Sequence, residues 1–189
     1  DGPAVAGGGP PAAAITPFLT LARCLQGGPS LQHFGMSKPP PLSADEADRL
    51  RALRDLVVLD SPPEPVFDEL ARLAADVCGT PVALMSLVDE ERQWFKANVG
   101  LHGVSQTPRQ MAFCAHAIVT DALFEVPDAT QDPRFADNPL VTGAPHIRFY
   151  AGVPLKLNGV SLGTLCVIDT RPRRLSVEVG QALEGLARA

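Results

Sequence analysis

The sequence predicts an α+β domain in which an antiparallel sheet carries helices on at least one face. Three observations lead there. Two amphipathic helical patterns come early, two strand hairpins follow with an irregular insert between them, and a further helical pattern closes the chain. Strands joined by tight turns run antiparallel, and helices segregated to the two ends of such a run give an α+β layer arrangement. No internal repeat is visible.

The first helix is predicted from Ser43-Ala44-Asp45-Glu46, which has the form of a capping box, a hydroxyl followed three residues later by a carboxylate. Leu50, Leu53 and Val57 continue one apolar face, Asp48, Arg49, Arg51 and Asp55 the other, and the pattern ends near Leu59. Ser61 and Glu64 repeat the capping pattern, with prolines where a first turn tolerates them. Val66, Leu70, Leu73 and Val77 then recur at helical spacing until Gly79. Residues 81–89 carry apolar side chains on both alternating sets, which predicts a central strand covered on both faces. Glu90-Glu91 turn the chain into a second strand over residues 92–99, where Phe95, Ala97 and Val99 alternate with Trp94, Lys96 and Asn98. A short helical piece is expected at 111–119, a short strand at 123–126, and a loop at 128–145. Residues 147–157 and 160–169 flank Asn158-Gly159, whose easy positive φ suits a two-residue type I′ hairpin turn. The closing helix begins at Ser176 and runs to Ala189, with Val179, Leu183 and Leu186 on one side.

Residues 1–41 read differently. Seven of the 16 glycines and seven of the 19 prolines lie in the first 40 residues, a composition that cannot bury enough apolar surface to offset chain entropy. Disorder or a linker is expected up to Pro41, with at most a transient turn at Leu19, Leu21 and Leu25, and the folded unit is expected over 42–189. Met36 supplies a natural start for that unit. The uncharged stretch from Gly2 to Ala22 is broken by Pro10, Pro11 and Pro17, so it reads neither as a membrane span nor as a secretory signal. With 16 Lys+Arg against 21 Asp+Glu, a net charge of −5 and no basic run, the chain lacks a footprint for nucleic acid. Cys24, Cys78, Cys114 and Cys166 have no CxxC or short regular spacing, which points away from a disulfide framework and toward a reducing, cytoplasmic setting.

Few motifs carry chemistry. Gly159-Val160-Ser161-Leu162-Gly163 matches the GxSxG nucleophile elbow, but it follows a hairpin turn and enters a strand instead of a helix, so Ser161 reads as an ordinary strand residue. Cys114-Ala115-His116 places a thiol near an imidazole, yet i and i+2 on a helix point to different sides, and a buried or pocket-lining cysteine is the better reading. His102, His116 and His146 lack metal-ligand spacing, and GxGxxG and the P-loop are absent, so neither a metal nor a cofactor is named. The insert holds Asp128, Asp132, Arg134, Asp137, Asn138, His146, Arg148 and Tyr150 among Phe124, Phe135 and Phe149. A loop of that length inside a compact domain is more often functional than idle. The alternative is that the aromatics simply plug the sheet.

These residues resemble the GAF domain of bacterial sensor histidine kinases, diguanylate cyclases and related signalling proteins. The matching runs are Leu59-Asp60-Ser61-Pro62-Pro63-Glu64 with Phe67-Asp68, Ser86-Leu87-Val88-Asp89 leading to Arg92-Gln93-Trp94-Phe95-Lys96, Ala112-Phe113-Cys114-Ala115-His116-Ala117-Ile118, Val126-Pro127-Asp128-Ala129, Asp132-Pro133-Arg134-Phe135, Asn138-Pro139-Leu140-Val141, Ile147-Arg148-Phe149-Tyr150-Ala151-Gly152-Val153-Pro154-Leu155 and Gly163-Thr164-Leu165-Cys166-Val167-Ile168-Asp169. The resemblance implies a sheet of about six strands, terminal helices on one face and a small-molecule pocket beneath the insert on the other. It suggests Trp94, Phe95, Phe113, Cys114, His116, Asp128, Phe135, Arg148, Phe149, Tyr150 and Cys166 as pocket residues, with His116, Asp128 and Arg148 setting selectivity.

It further implies a non-catalytic sensory module that binds an unidentified small molecule or senses redox state. Such a module dimerises through its terminal helices and signals to an output domain, in cis or in trans, such as a histidine kinase of a two-component system or a diguanylate cyclase. The Asn-Lys…Phe…Asp-Glu signature of cyclic-nucleotide-binding members is absent, and the surroundings of Cys114 do not match bilin-binding members. A small redox enzyme acting through Cys114, akin to the free methionine sulfoxide reductases, and a dimerisation scaffold with a filled pocket are the alternatives.

Overall fold

The computed structural model describes residues 39–189, so the expectation of disorder in the N-terminal segment, including any turn at Leu19, Leu21 and Leu25, falls on residues outside that range apart from Pro39 to Pro41. The described chain runs α1 (Glu46–Asp55), α2 (Pro65–Cys78), β1 (Val82–Val88), β2 (Arg92–Val99), β3 (Gln106–Pro108), a 3-10 turn (Arg109–Met111), α3 (Phe113–Ala117), β4 (Phe124–Val126), α4 (Pro139–Thr142), β5 (Phe149–Leu157), β6 (Val160–Asp169) and α5 (Val177–Ala187). One six-stranded antiparallel sheet has the order β3-β2-β1-β6-β5-β4, which bears out the α+β prediction. Strand β1, apolar on both alternating sets, is central as expected, and every one of its residues is buried. The β5–β6 hairpin turns at Asn158 and Gly159 with φ of 51° and 87°, the positive pair that a type I′ turn requires.

The two faces of the sheet are covered differently. Helices α2 and α5 pack on one, burying Ala71, Ala74, Ala75, Cys78 and Leu183 against Ala83, Met85, Ala97, Phe149, Ala151, Val153, Leu165 and Val167. Small alanines here let the α2 backbone come close to the strands. The insert covers the other face: α3 and residues 124–147 pack Phe113, Cys114, Ile118, Phe135, Leu140 and Val141 onto Val82, Leu84, Val88, Phe95, Tyr150, Cys166 and Ile168. A smaller cluster of Leu53, Leu87, Trp94 and Leu162 holds α1.

Several local expectations are corrected, and Arg49, expected on the polar face of α1, is fully buried. Both halves of the capping box form, the Glu46 carboxylate accepting from Ser43 N–H at 3.3 Å and the Ser43 hydroxyl from Asp45 N–H at 3.4 Å, while the regular turns of α1 start at Glu46. The same helix ends at Asp55. Val57 adopts φ 50° and is 82% exposed, so it leaves the apolar face it was expected to continue. On α2, Leu70 packs inward beside Phe67 and the alanines, whereas Val66, Leu73 and Val77 face outward.

Ser61 does not cap α2. Its hydroxyl instead accepts from the Lys96 ammonium at 2.7 Å, which also donates to Pro62 C=O at 2.9 Å, pairs with Glu64 at 2.6 Å and lies over the Phe67 ring. Lys96 occupies a bulge in β2, opposite the step between Met85 and Ser86, and the extra residue turns its side chain toward the α1–α2 connection. Arg92 grips Asp60 with two hydrogen bonds of 3.0 and 2.6 Å in the same clasp.

Candidate functional site

The insert side is built from short elements held by their own side chains. Asn138 caps α4, its Oδ1 accepting from Leu140 N–H at 2.9 Å while its Nδ2 donates to Met111 C=O at 3.1 Å. Asp132 closes a turn on Arg134 N–H at 2.9 Å and pairs with the Arg134 guanidinium, which then lies over the rings of Phe124 and Phe135. Asp132-Pro133-Arg134-Phe135 is therefore a lid: an ion pair outside, a ring inside.

Beneath it the rings form a continuous stack. Phe113 and Phe135 lie 4.1 Å apart and nearly parallel, Phe113 and Tyr150 5.3 Å apart, and His116 meets Phe135 edge-on at 4.7 Å. Phe124 packs edge-on against both Phe135 and Tyr150. Phe135 and Tyr150 are fully buried and Phe113 is 3% exposed, so the layer is filled by side chains. Two clefts, of about 410 Å³ beside Pro39, Leu42, Glu91 and Arg109 and of about 330 Å³ beside Ser43, Ile118 and Ser161, lie elsewhere, and neither is lined by these rings.

Under the rings the sheet offers polar groups. Gln93 Nε2 donates to Thr107 Oγ1 at 2.6 Å, and its Oε1 accepts from Ser86 Oγ at 3.3 Å. Tyr150 O–H donates to Cys114 Sγ at 3.3 Å, and Cys114 and Cys166 sulfurs stand 3.8 Å apart. Burial alone would raise the Cys114 thiol, but the Cys166 thiol and the Ser86, Thr164 and Tyr150 hydroxyls around it outweigh burial and hold it below the usual thiol range. The bond to Cys114, then burial, pushes Cys166 well up. Thr164 Oγ1 faces Cys114 electrostatically without meeting hydrogen-bond geometry. His116 Nε2 is likewise buried and has no hydrogen-bond partner among the described residues. Burial, followed by the charge of Arg134, lowers its pKa to about 4, with Asp132 pulling the other way.

The expected site residues thus divide. Phe95, Phe113, Cys114, His116, Phe135, Tyr150 and Cys166 come together on the insert side. Phe149 does not: strand alternation turns it to the helix side beneath α2 and α5. Trp94 is also turned away, into the α1 cluster. Asp128 is spent on a local turn, accepting from Thr130 N–H at 3.0 Å and Thr130 O–H at 2.7 Å. Arg148 ties the insert to itself, donating to the carbonyls of Val141 and Ile147, both at 3.0 Å. Of the three expected selectivity groups only His116 faces the aromatic layer.

Ser86, Gln93, Thr107 and Thr164 were missed, although a lone hydroxyl within the apolar runs of β1 and β6 was a readable signal. So was a charged edge. Arg49, fully buried, donates to Val88 C=O at 2.5 Å, and Glu46 bridges it to Arg109, whose Nη1 also reaches Asp89 C=O at 3.1 Å. Burial would raise the Glu46 carboxyl, but hydrogen bonds from the two arginines hold it at about 2.

Comparison with known proteins places this geometry. Residues 62–189 match the GAF domain family. Over 135 residues, 71% of this chain, the sequence is 50% identical to a cyclic di-GMP phosphodiesterase of Pseudomonas aeruginosa, of whose length the match spans 23%. Among solved structures, the GAF domain of an Acinetobacter phosphoenolpyruvate-protein phosphotransferase is similar at TM-score 0.55 and 20% identity, over 77% of this chain and 90% of that one. A free methionine-R-sulfoxide reductase of Neisseria meningitidis, in complex with its substrate, is similar at TM-score 0.53 and 18% identity, over 75% and 83%. These two likenesses concern the fold alone.

Proposed function

The chain belongs to the GAF family of regulatory sensory domains, and from that premise we propose that it is a non-catalytic sensor whose insert-side layer takes a small molecule and whose helices pass the event to an output domain. The observation that carries this reading is that, of the three buried side-chain atoms left without a partner among the described residues, two, His116 Nε2 and Thr164 Oγ1, lie within or beneath an aromatic layer, the third being Arg109 Nη2 at the charged edge. Leaving such an atom unpaired costs about 1–3 kcal/mol, and a ligand with one donor and one acceptor would recover it. The rings of Phe113, Phe135 and Tyr150 suit a flat, largely apolar molecule.

The route outward runs through contacts already described. Arg109, just before α3, reaches Glu46 on α1 at 2.6 Å, and the Lys96 and Arg92 clasp holds the α1–α2 connection to β2. An insert that shifts on binding would move both, with a coupling of about 1–3 kcal/mol. Dimerisation through the terminal helices would carry the change onward. The 23% span of the Pseudomonas relative, and its name, favour an output domain that handles cyclic di-GMP over a histidine kinase.

Native mass spectrometry of the full chain, purified gently from cells and compared with its denatured mass, tests the ligand reading. Added mass in the native spectrum alone, lost in His116→Phe, is the expected result. Bare mass in repeated preparations from several hosts, with no ligand found by screening, would favour the scaffold reading, for which the tight packing of Phe113, Phe135 and Tyr150 speaks.

A further inference from the structure

Cys114 and Cys166 come from separate layers, one on α3 of the insert and one on β6 at the centre of the sheet. Their sulfurs are nevertheless 3.8 Å apart, and the two residues are 2% and 0% exposed. The Tyr150 phenol donates to Cys114 Sγ at 3.3 Å, and Ser86 on β1 keeps its own hydroxyl on Gln93 Oε1. Gly152 makes room for this arrangement. A Cβ there would stand 2.2 Å from the Tyr150 hydroxyl, so a side chain at 152 would drive the phenol off its sulfur. Cys78, on the helix side, has no such shell, and burial pushes its thiol up to about 11.

The Tyr150 hydroxyl donated to Cys114 Sγ stabilises the thiolate, the reactive form, and a second thiol 3.8 Å away supplies the resolving partner. We propose that Cys114 and Cys166 are a peroxide-sensitive dithiol that closes to a disulfide and locks the insert onto the sheet. Burial beneath Phe113 and Phe135 restricts the oxidant to one of about water's size, hydrogen peroxide, and excludes bulky disulfides.

In the first step the Cys114 thiolate attacks one peroxide oxygen. The O–O bond breaks, the departing hydroxide takes up the proton the thiol released, and water and a sulfenic acid result. In the second step the Cys166 sulfur attacks Cys114 Sγ. The S–O bond breaks, hydroxide leaves with the Cys166 proton as water, and the S–S bond forms. Two thiols have lost two electrons and two protons, and one peroxide has become two waters. A bond of about 2 Å replaces the 3.8 Å contact, drawing α3 toward β6. Access to the aromatic layer then requires reduction. That consequence rests on the ligand reading, while the dithiol chemistry does not.

The test treats the full chain with hydrogen peroxide, then denatures it, alkylates remaining thiols and maps the peptides by mass. The expected product links the Cys114 and Cys166 peptides, is reversed by dithiothreitol, and forms at least about tenfold faster than Cys78 is oxidised. In Cys166→Ser treated with hydrogen peroxide, dimedone present during denaturation should trap the Cys114 sulfenic acid, and hydrogen exchange over 128–148 should slow in the oxidised wild-type chain. Cys114 and Cys166 reacting no faster than Cys78, or a disulfide that pairs them with other cysteines, would overturn the proposal. The wild-type comparison decides even if Cys166→Ser folds poorly. A ligand retained by a chain whose thiols stay inert overturns this proposal and leaves the ligand reading standing.

Discussion

Both faces of the sheet bury polar groups, but they do so on different terms. On the helix side Lys96 is buried with every ammonium direction occupied, by Ser61, Pro62 and Glu64, and Arg49 is buried with its guanidinium divided between Glu46 and Val88. On the insert side His116 Nε2, beside the rings, and Thr164 Oγ1, on the sheet beneath them, have no hydrogen-bond partner among the described residues. The remaining packing repeats the contrast: alanines with Phe67 and Phe149 on the helix face, and on the other the stacked rings of Phe113, Phe135 and Tyr150, with Phe124 edge-on, under a loop lid. A buried group that is fully paired fixes structure. One left unpaired weakens the native state unless something else meets it, so the faces divide into scaffold and receptor.

The sharpest way to break this division is to truncate one ring on each face. Phe149→Ala should cost about 3–5 kcal/mol, because the α2 and α5 side is closed by regular elements that cannot collapse into the void. Phe135→Ala should cost less, about 1–3 kcal/mol, since the lid of Asp132 and Arg134 can settle. Urea unfolding followed by the fluorescence of Trp94, the single tryptophan, measures both. Equal losses would mean that the insert is as rigid a part of the core as the helices.

How far the sequence foretold this contrast depended on what each face is made of. Periodicity and turn chemistry are local, so β1, the Asn158-Gly159 hairpin and α5 were legible from their own residues. The three-residue strand β3 carried no such signal; it exists because Thr107 meets Gln93 and because Arg109 N–H reaches Glu91 C=O. The site was half legible. The motif runs located the rings, but strand parity separated Phe149 from Tyr150 and Trp94 from Phe95, and a β2 bulge turned Lys96 to the helix side. Ser86 and Thr164 gained meaning only when β1 and β6 paired and brought both beside Cys114.

Acid should separate the faces next. An unfolded histidine binds a proton near pH 6.5, whereas burial and Arg134 lower His116 to about 4 in the folded chain. Below about pH 6.5 the unfolded state therefore holds a proton the folded state refuses. Stability from this group is fully present above that pH and declines as pH falls toward about 4, by about 2–3 kcal/mol in all. Urea midpoints at several values across this window should converge for His116→Phe and fall for the wild type. Hydrogen exchange should show residues 128–148 losing protection before α2 and α5. A parallel decline in the two proteins would place the acid sensitivity elsewhere, as would simultaneous loss on both faces.

The smallest expected effect concerns α2, where the apolar pattern pointed to the wrong side. Val66, Leu73 and Val77 are the larger residues, and burial of large apolar groups is the ordinary expectation. Here the inward set includes Ala71, Ala74 and Ala75, because only small side chains let the helix approach a sheet already filled by Phe149, Val153 and Leu165. Leu73, 43% exposed, should therefore tolerate Leu73→Ser within about 0.5 kcal/mol in urea unfolding, as surface positions do. Sedimentation of the same variant adds a second reading. If the wild type is a dimer and Leu73→Ser is a monomer, the outward stripe of Val66, Leu73 and Val77 is where the helical face meets its copy; an unchanged size would leave that role to α5 or to α1.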